Sequence, residues 1–317
     1  MVKLIIEHNG EIYEPVLKDS VSLKSVRKGE PKTLTFTLIR DEIIQYEEGD
    51  PVRLIVDGAN AFYGFIFKIS GNKTNERQIT AYDQIRYLKN KGSYNIEKWR
   101  VDTLIREIAE DTGLQVGTLA NTDYLYSAVE DNVSFLDMIL NAMDETTRQT
   151  GMLYVLYDDN GKLCLDNIAD RKLDILLDES TGEDYSYSSS IDGETYNSIA
   201  LYKDGADGGA REYKYASDIN NINKWGLLRY FDTYDDNFDG QTKAQQLLEL
   251  YNQRERGFSL SNQLGDIRVM GGTLVPVVID VGDVKVSNYL MVEEVTHEIS
   301  DNHHTMTLTL KGGEFTE

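Results

Sequence analysis

The sequence is poor in features that define several common classes of protein. It has one cysteine in 317 residues, Cys164, which excludes an internal disulfide and predicts a small buried hydrophobe. No run approaches the roughly 18 apolar residues of a membrane span, and Leu4-Ile5-Ile6 is too short for the core of a signal peptide. Lys and Arg number 32 against 54 Asp and Glu, and the net charge of −22 argues against a nucleic-acid groove. The sequence therefore predicts a protein that stays in the cytoplasm and binds neither membrane nor a specific nucleic acid.

Recognisable catalytic motifs are also absent. The sequence contains no G-x-S-x-G elbow, no phosphate-binding G-x-x-x-x-G-K-[ST], no H-E-x-x-H and no dinucleotide fingerprint. Carboxylates are so abundant that a pair spaced for glycoside hydrolysis has no specificity. The only tryptophans, Trp99 and Trp225, lie in different sections, which does not favour a single sugar-stacking platform. We expect no enzyme and no cofactor, with a polysaccharide-degrading enzyme and a carbohydrate-binding module as the alternatives.

One stretch begins like a calcium-binding loop. Asp235, Asn237 and Asp239 place oxygen ligands at alternate positions before a turn-forming glycine. The ninth position of such a loop is Lys243, a cation, and the twelfth is Gln246 where a bidentate Glu is needed. The pattern therefore favours a turn and a helix cap over a metal site.

Three histidines lie around the last hairpin. His297, His303 and His304 could together bind zinc or nickel, but no cysteine or fourth ligand accompanies them. These side chains are expected to be either solvated or hydrogen-bonded locally.

The most informative feature of the chain is a pattern that occurs twice. A glycine opens and an aspartate closes each of two nine-residue stretches, 49–57 and 272–280, with apolar residues at the same offsets between them. Each stretch is followed by two more predicted strands, so we define a first β-unit from Gly49 to Tyr82 and a second β-unit from Gly272 to Leu310. We expect ten residues to shape these two units and to take part in assembly through them: Gly49, Asp50, Val52, Phe62, Tyr63, Gly64, Gly272, Val275, Tyr289 and His297.

The periodicity of the rest of the chain predicts a mainly β protein with a helical insert. Asn9-Gly10 between apolar runs indicates a hairpin, and Leu34, Phe36 and Leu38 alternate with threonines as in a half-buried strand. Between the two β-units, three helices are predicted. One ends at Gly113, one starts at Ser134 with Asp137 in the capping position, and one starts at Thr242 with Gln245 and stops at Gly257.

These patterns divide the chain into four predicted domains. They are a β-barrel at 1–87, a small helical domain at 88–150, a β-rich domain ending in a helix at 151–257, and a second β-barrel at 258–317.

Five stretches together resemble the baseplate hub proteins of contractile phage tails and phage-tail-like bacteriocins, in particular the XkdQ-type hubs of PBSX-like prophages. The match covers nearly the whole chain. The stretches that carry it are residues 48–52 leading to 62–67, residues 79–91, the helix end at 108–114, Thr195-Tyr196-Asn197-Ser198-Ile199, and residues 289–297.

The resemblance implies a structural role and a set of partners. Members of this family are homotrimers that link the six-fold tail tube to the three-fold central spike through two barrel domains related to the tube protein. It implies contacts with the tube, the spike and other baseplate proteins of wedge and LysM type, within a tail assembled in the bacterial cytoplasm. Since the chain ends at Glu317, soon after Leu310, the spike is expected to be a separate gene product. The acidity agrees, because a negative channel repels DNA instead of trapping it.

Overall fold

The computed structural model describes residues 1–41, 43–71, 73, 75–178, 182–205, 209–234, 239–280 and 285–312. The chain forms two compact units. Unit 1 comprises Met1–Met143, Leu153–Ser186 and Phe258–Glu317, and unit 2 comprises Asp144–Met152 and Tyr187–Gly257. The division into four domains stays a prediction. No helix in the described residues is long and apolar enough to cross a membrane.

The chain opens with seven strands. Asn9 and Gly10 both have positive φ, as the predicted two-residue hairpin between β1 and β2 requires. The alternation of Leu34, Phe36 and Leu38 is confirmed, since all three side chains are buried in β4. The strands are β1 (Val2–His8), β2 (Glu11–Tyr13), β3 (Val21–Val26), β4 (Thr33–Ile39), β5 (Pro51–Val56), β6 (Ala59–Gly71) and β7 (Glu76–Tyr82).

The next section of the described chain contains the two predicted helices together with seven strands. Gly113 ends α1 in the left-handed conformation, and the Ser134 hydroxyl accepts a hydrogen bond from the Asp137 N–H at the start of α2, as expected. The elements are a 3₁₀ turn (Gln84–Lys89), β8 (Lys91–Trp99), α1 (Val101–Thr112), β9 (Val116–Leu119), β10 (Tyr126–Ser134), α2 (Phe135–Thr150), β11 (Tyr154–Asp158), β12 (Leu163–Asn167), a 3₁₀ turn (Ile168–Asp170), β13 (Leu177–Asp178) and β14 (Asp184–Ser190).

A three-stranded sheet covered by a helix forms the core of unit 2. Ile199, Leu201, Ala216 and Leu247 pack together in it. The elements are β15 (Ser198–Lys203), β16 (Glu212–Ser217), α3 (Ile219–Trp225), β17 (Arg229–Thr233) and α4 (Gly240–Tyr251).

The third predicted helix has different ends from those expected. Asp239 is the N-cap of α4, and its carboxylate accepts the N–H of Thr242, the residue that was predicted to be the cap. The helix ends at Tyr251, well before Gly257. Asp and Thr are both favourable N-cap residues, and Asp239, one turn before Thr242, occupies the N-cap position.

The chain closes with β18 (Glu255–Leu264), β19 (Leu274–Asp280), β20 (Lys285–Ser300) and β21 (His303–Lys311). These strands join β1–β7 in one continuous sheet of order β14-β18-β21-β20-β3-β4-β7-β6-β5-β1-β2, with β19 on β20 and β13 on β19. The mainly β class is therefore confirmed. The two barrels are not closed within the described residues, because β2 and β14 are free ends of this path.

Two separate cores fill the two halves of the large sheet. Leu4, Phe36, Leu54 and Phe62 belong to the core of the first half. Val275, Val292 and Leu308 belong to the core of the second. A third core holds the helices α1 and α2, and the predicted burial of Cys164 is confirmed at 4% exposure.

Candidate functional site: two repeated β-units

The turn that opens each β-unit makes the same hydrogen bonds. Gly49 N donates to Ile66 O and Ile66 N donates to Asp50 O, at 2.8 and 2.9 Å. In the second unit, Gly272 N donates to Val292 O and Val292 N donates to Thr273 O at the same distances. Both glycines have positive φ, which L-residues with a side chain rarely adopt. The predicted correspondence of Gly49 and Gly272 therefore holds at the level of single backbone groups.

The repeat continues through the next two strands in matching register. Pro51 pairs with Phe65 as Leu274 pairs with Met291. A register shift then falls between Ile66 and Lys68 against β7, and between Val292 and Glu294 against β21. Such a bulge adds one residue to one strand and bends it, so a shared bulge position is a strong sign of common geometry.

The strand order of the two halves is also the same. The first half reads β3-β4-β7-β6-β5-β1, and the second reads β14-β18-β21-β20-β19-β13. The halves differ at the last strand, since β1 is antiparallel to β5 whereas β13 is parallel to β19. The structural repeat that the sequence predicted is thus confirmed and extends beyond the stretches that revealed it.

The two halves are joined by an internal seam, which we define as Val21–Val26 of β3 paired with Glu294–Ile299 of β20. Lys24 Nζ lies 3.0 Å from Glu294 Oε2 across it, and Arg27 Nε donates to Glu293 Oε2 at 2.9 Å. The seam uses the part of β20 that extends beyond its pairing with β19, which ends at Met291.

The predicted assembly residues fall on two faces of these strands. Val52, Phe62 and Val275 are buried in the cores. Tyr63 and Tyr289 occupy corresponding places on the outer face, and each has a cation over its ring: Arg53 at 4.7 Å and Lys172 at 5.2 Å.

Gly64 is needed in the first unit only. A Cβ there would collide with the Tyr82 carbonyl oxygen and the Phe62 ring, whereas the corresponding residue of the second unit is the buried Leu290. The large Phe62 ring fills this space in the first core.

His297 is buried at the internal seam, opposite Leu23. Its Nε2 lies 2.9 Å from Val269 O, so Nε2 carries the proton, and Nδ1 accepts from His304 Nε2 at 3.0 Å. Burial lowers the pKa of His297 to about 4, and burial also lowers the pKa of His304. Two of the three predicted histidines are therefore brought together as a neutral hydrogen-bonded pair, and His303 stays exposed.

A cluster of buried ionisable side chains joins three segments of unit 1: the loop between β3 and β4, the end of β7, and the turn between β11 and β12. Asp83 accepts the N–H groups of Lys32 and Ile85, and Lys32 Nζ donates to Asp158 O at 2.9 Å. Burial raises the pKa of Asp83 well above its usual range, with the Asp158 charge adding to the rise, and burial also raises the pKa of Asp158. The sequence did not reveal this cluster, because its members are far apart in the chain.

Of the three predicted oxygen ligands of the calcium-like loop, one can be described. Asp239 caps α4, whereas Asp235 and Asn237 lie outside the described residues. In the described part of the chain, one group of side chains could hold a metal ion: His8, Glu47 and Asp50. Of these, only Asp50 was singled out from the sequence.

Comparison with known proteins identifies the family. A YqbQ-like family profile matches residues 21–311, so the chain belongs to the YqbQ-like family. It is 30% identical to the uncharacterized protein YqbQ of Bacillus subtilis, over 97% of this chain and 96% of that protein. It is 28% identical, over the same shares of the two chains, to the phage-like element PBSX protein XkdQ of the same organism.

Solved structures share the fold. A 43 kDa tail protein of prophage MuSo2 from Shewanella oneidensis superimposes with a TM-score of 0.68 at 11% identity, over 97% of this chain and 98% of that one. The Escherichia coli c3393 protein gives a TM-score of 0.52 at 11% identity, over 97% and 76% of the two chains. That protein is described as a type VI secretion component with structural similarity to the phage T4 tail proteins gp27 and gp5. The chain thus resembles a protein of a phage-like element in sequence and phage tail proteins in fold.

Proposed function

We propose that the protein is a structural baseplate hub, a homotrimer that joins the six-fold tail tube to the three-fold central spike. The observation that carries the proposal is the repeat: two halves of the same strand order, joined edge to edge within one chain. A six-fold tube that ends on a three-fold spike needs an adaptor, and three chains with two similar halves each present six similar edges. The shared fold with the c3393 protein, which is similar to phage T4 tail proteins, supports a place within a tail or tail-like assembly.

The internal seam provides a template for the contact between copies. In β20 the seam begins where the pairing with β19 ends, and in β6 the pairing with β5 ends at Phe65. Residues Lys68–Gly71 of β6 therefore correspond to the seam residues of β20, and among the described residues they pair only with β7. This edge carries unpaired backbone groups, which are a ready template for another strand.

The complementary edge lies at the other end of the sheet. β14 stands next to β18 as β3 stands next to β4, and its outer side is a free end of the sheet path. Six of its seven residues are exposed. We expect β6 of one copy to pair with β14 of the next, so that internal and intermolecular seams alternate and three copies close a ring of six halves.

Electrostatics is compatible with such a ring. The net charge of −22 per chain gives a channel that repels nucleic-acid phosphate, and the cross-seam pairs Lys24–Glu294 and Arg27–Glu293 offset like-charge repulsion where the halves meet. In this proposal the role is purely structural. Turnover of peptidoglycan that is lost on replacing one carboxylate would contradict it.

Paired cysteines test the intermolecular seam in the assembled particle. Lys68→Cys is combined with Ser186→Cys or Ser188→Cys, which lie on the exposed strand β14. We expect oxidation to give covalent trimers of 3 × 36.0 = 108 kDa. The matched control is Val26→Cys with Glu294→Cys, the same contact in the internal seam, which should close within one chain. Cross-linked dimers or hexamers as the end product, or none in a correctly assembled particle, would contradict the proposal.

A further inference from the structure

Three side chains converge at the turn that opens the first β-unit. His8 from the end of β1, Glu47 from the preceding loop and Asp50 from the turn itself bring one ligand atom each to within 4.8 Å of the others. His8 Nδ1 lies 2.9 Å from Asp50 Oδ2, and both side chains are only 12% exposed. The two atoms are at hydrogen-bond distance. An ion that replaces the shared proton, with ligands at about 2.1 Å, holds them about 3.0 Å apart in octahedral geometry and about 3.4 Å apart in tetrahedral geometry, so a small adjustment makes room for it.

The second β-unit shows which part of this arrangement the turn itself requires. Asp50 Oδ2 accepts the Glu47 N–H at 2.7 Å, and Thr273 Oγ1 accepts the Met270 N–H at 3.3 Å in the corresponding place. A hydroxyl is therefore sufficient to close the turn. Closing the turn does not require a carboxylate at position 50, nor a carboxylate at position 47, where the second unit has Met270. It does not require the neighbouring imidazole of His8 either.

The ligands are held by neighbouring groups. The Glu47 N–H fixes Oδ2 of Asp50. The Asn9 side-chain amide lies 2.9 Å from His8 Nε2, where its Nδ2 donates to the ring; when Nδ1 binds an ion, the amide turned over presents its oxygen to accept the Nε2–H. Such outer contacts are typical of metal sites, where they set the direction of the ligands. A cleft lined by His8, Glu47 and Tyr46 opens to solvent beside the group and gives an ion a way in.

We propose that His8, Glu47 and Asp50 bind one divalent transition-metal ion, with water completing its coordination. One imidazole and two carboxylates form a mixed nitrogen and oxygen set, which suits Zn²⁺ or Mn²⁺ better than Ca²⁺ or Mg²⁺. The ion ties the β1–β2 hairpin, at the free end of the sheet, to the turn that starts β5. This site is independent of the trimeric assembly.

Binding of Zn²⁺ and Mn²⁺ to the full chain, purified without a histidine tag, tests the site. We expect one ion per chain by calorimetry and by metal analysis after gel filtration, and a higher unfolding temperature with the ion present. His8→Ala should weaken binding at least about 10-fold, the smallest loss typical of even an outer-contact change. Asp50→Thr and Glu47→Met should do the same while keeping the turn, because they install the residues of the second β-unit.

Glu48→Gln is the matched control, since it removes a neighbouring carboxylate that is not in the group and should leave the affinity unchanged. Circular dichroism checks that every variant is folded. Absence of binding by the wild-type chain at 100-fold molar excess of either ion would overturn the proposal. Equal affinities of the wild-type chain, His8→Ala and Asp50→Thr would overturn it as well, because the ion would then lie elsewhere.

Discussion

Lowering the pH should weaken unit 1 through His297. The pKa of this buried imidazole is lowered to about 4, whereas a histidine in the unfolded chain titrates near 6.5. Below pH 6.5 the unfolded chain therefore binds a proton that the folded chain does not, and stability falls with pH until the folded group is protonated as well. Between pH 7.5 and 5.0 this linkage amounts to about 1.5 pKa units, or about 2 kcal/mol of the free energy of unfolding.

The low pKa of His297 has its physical cause in burial and in the neighbouring His304. A second proton on His297 would place an N–H on Nδ1 against the N–H of His304 Nε2, in a site that burial has removed from water. Asp83 and Asp158 act in the opposite direction, because their folded-state pKa values are raised and their contribution falls as the pH rises. A comparison of the wild type with His297→Gln separates the histidine from the carboxylates.

Urea unfolding at pH 7.5 and 5.0 measures this difference, with Trp99 as the reporter for unit 1 in a Trp225→Phe background. On acidification the wild type should lose about 2 kcal/mol more than His297→Gln. Since the chain has four histidines, NMR of labelled imidazoles gives a direct check of the His297 pKa. The same pH dependence in both proteins, or a His297 signal that titrates near pH 6.5, would refute the reasoning.

Three further substitutions test other parts of the structure. Asp83→Asn removes a carboxyl with a raised pKa, so the stability of this variant relative to the wild type should improve from pH 5 to pH 8 in the same urea assay. A difference in unfolding free energy between the two proteins that does not change with pH would contradict the burial argument. Ser134→Ala removes the cap of α2 and should cost about 1 kcal/mol in unfolding free energy. Ser287→Ala, at an exposed position of β20, is the control. Gly64→Ala should lower the unfolding free energy by about 1–3 kcal/mol, because the added methyl group overpacks against Tyr82 and Phe62. Leu290→Ala at the corresponding place should lower it by about 2–5 kcal/mol by leaving a cavity. An unchanged stability of Gly64→Ala would contradict the overpacking argument by showing that the strand can shift.

Features that depend on neighbours in the chain could be predicted from the sequence. The Asn9-Gly10 hairpin, the Gly113 helix end and the Ser134 cap each need only a few adjacent residues of the right kind. The two β-units could be recognised because glycine, aspartate and the apolar residues recur at fixed offsets. Their backbone hydrogen bonds and shared bulge then follow from the same local chemistry.

Features that depend on distant segments were not predictable. The internal seam pairs Val21–Val26 with residues more than 260 positions away, and an alternating strand pattern does not specify its partner. His8 and Asp50 meet for the same reason, because strand pairing alone brings the end of β1 to the start of β5. The strands β8 and β10 escaped prediction because two register shifts interrupt their ladder and blur the alternation.

The central claim is that three copies of this chain place six similar halves around the tail axis. Cryo-microscopy of the assembled particle, reconstructed at the end of the tail tube without imposed symmetry, measures this directly. The account predicts three chains with six halves at about equal angular spacing, and a β-sheet that continues from β6 of each chain into β14 of the next. Two or six copies of the chain, or a ring in which only one half of each chain faces the channel, would contradict it.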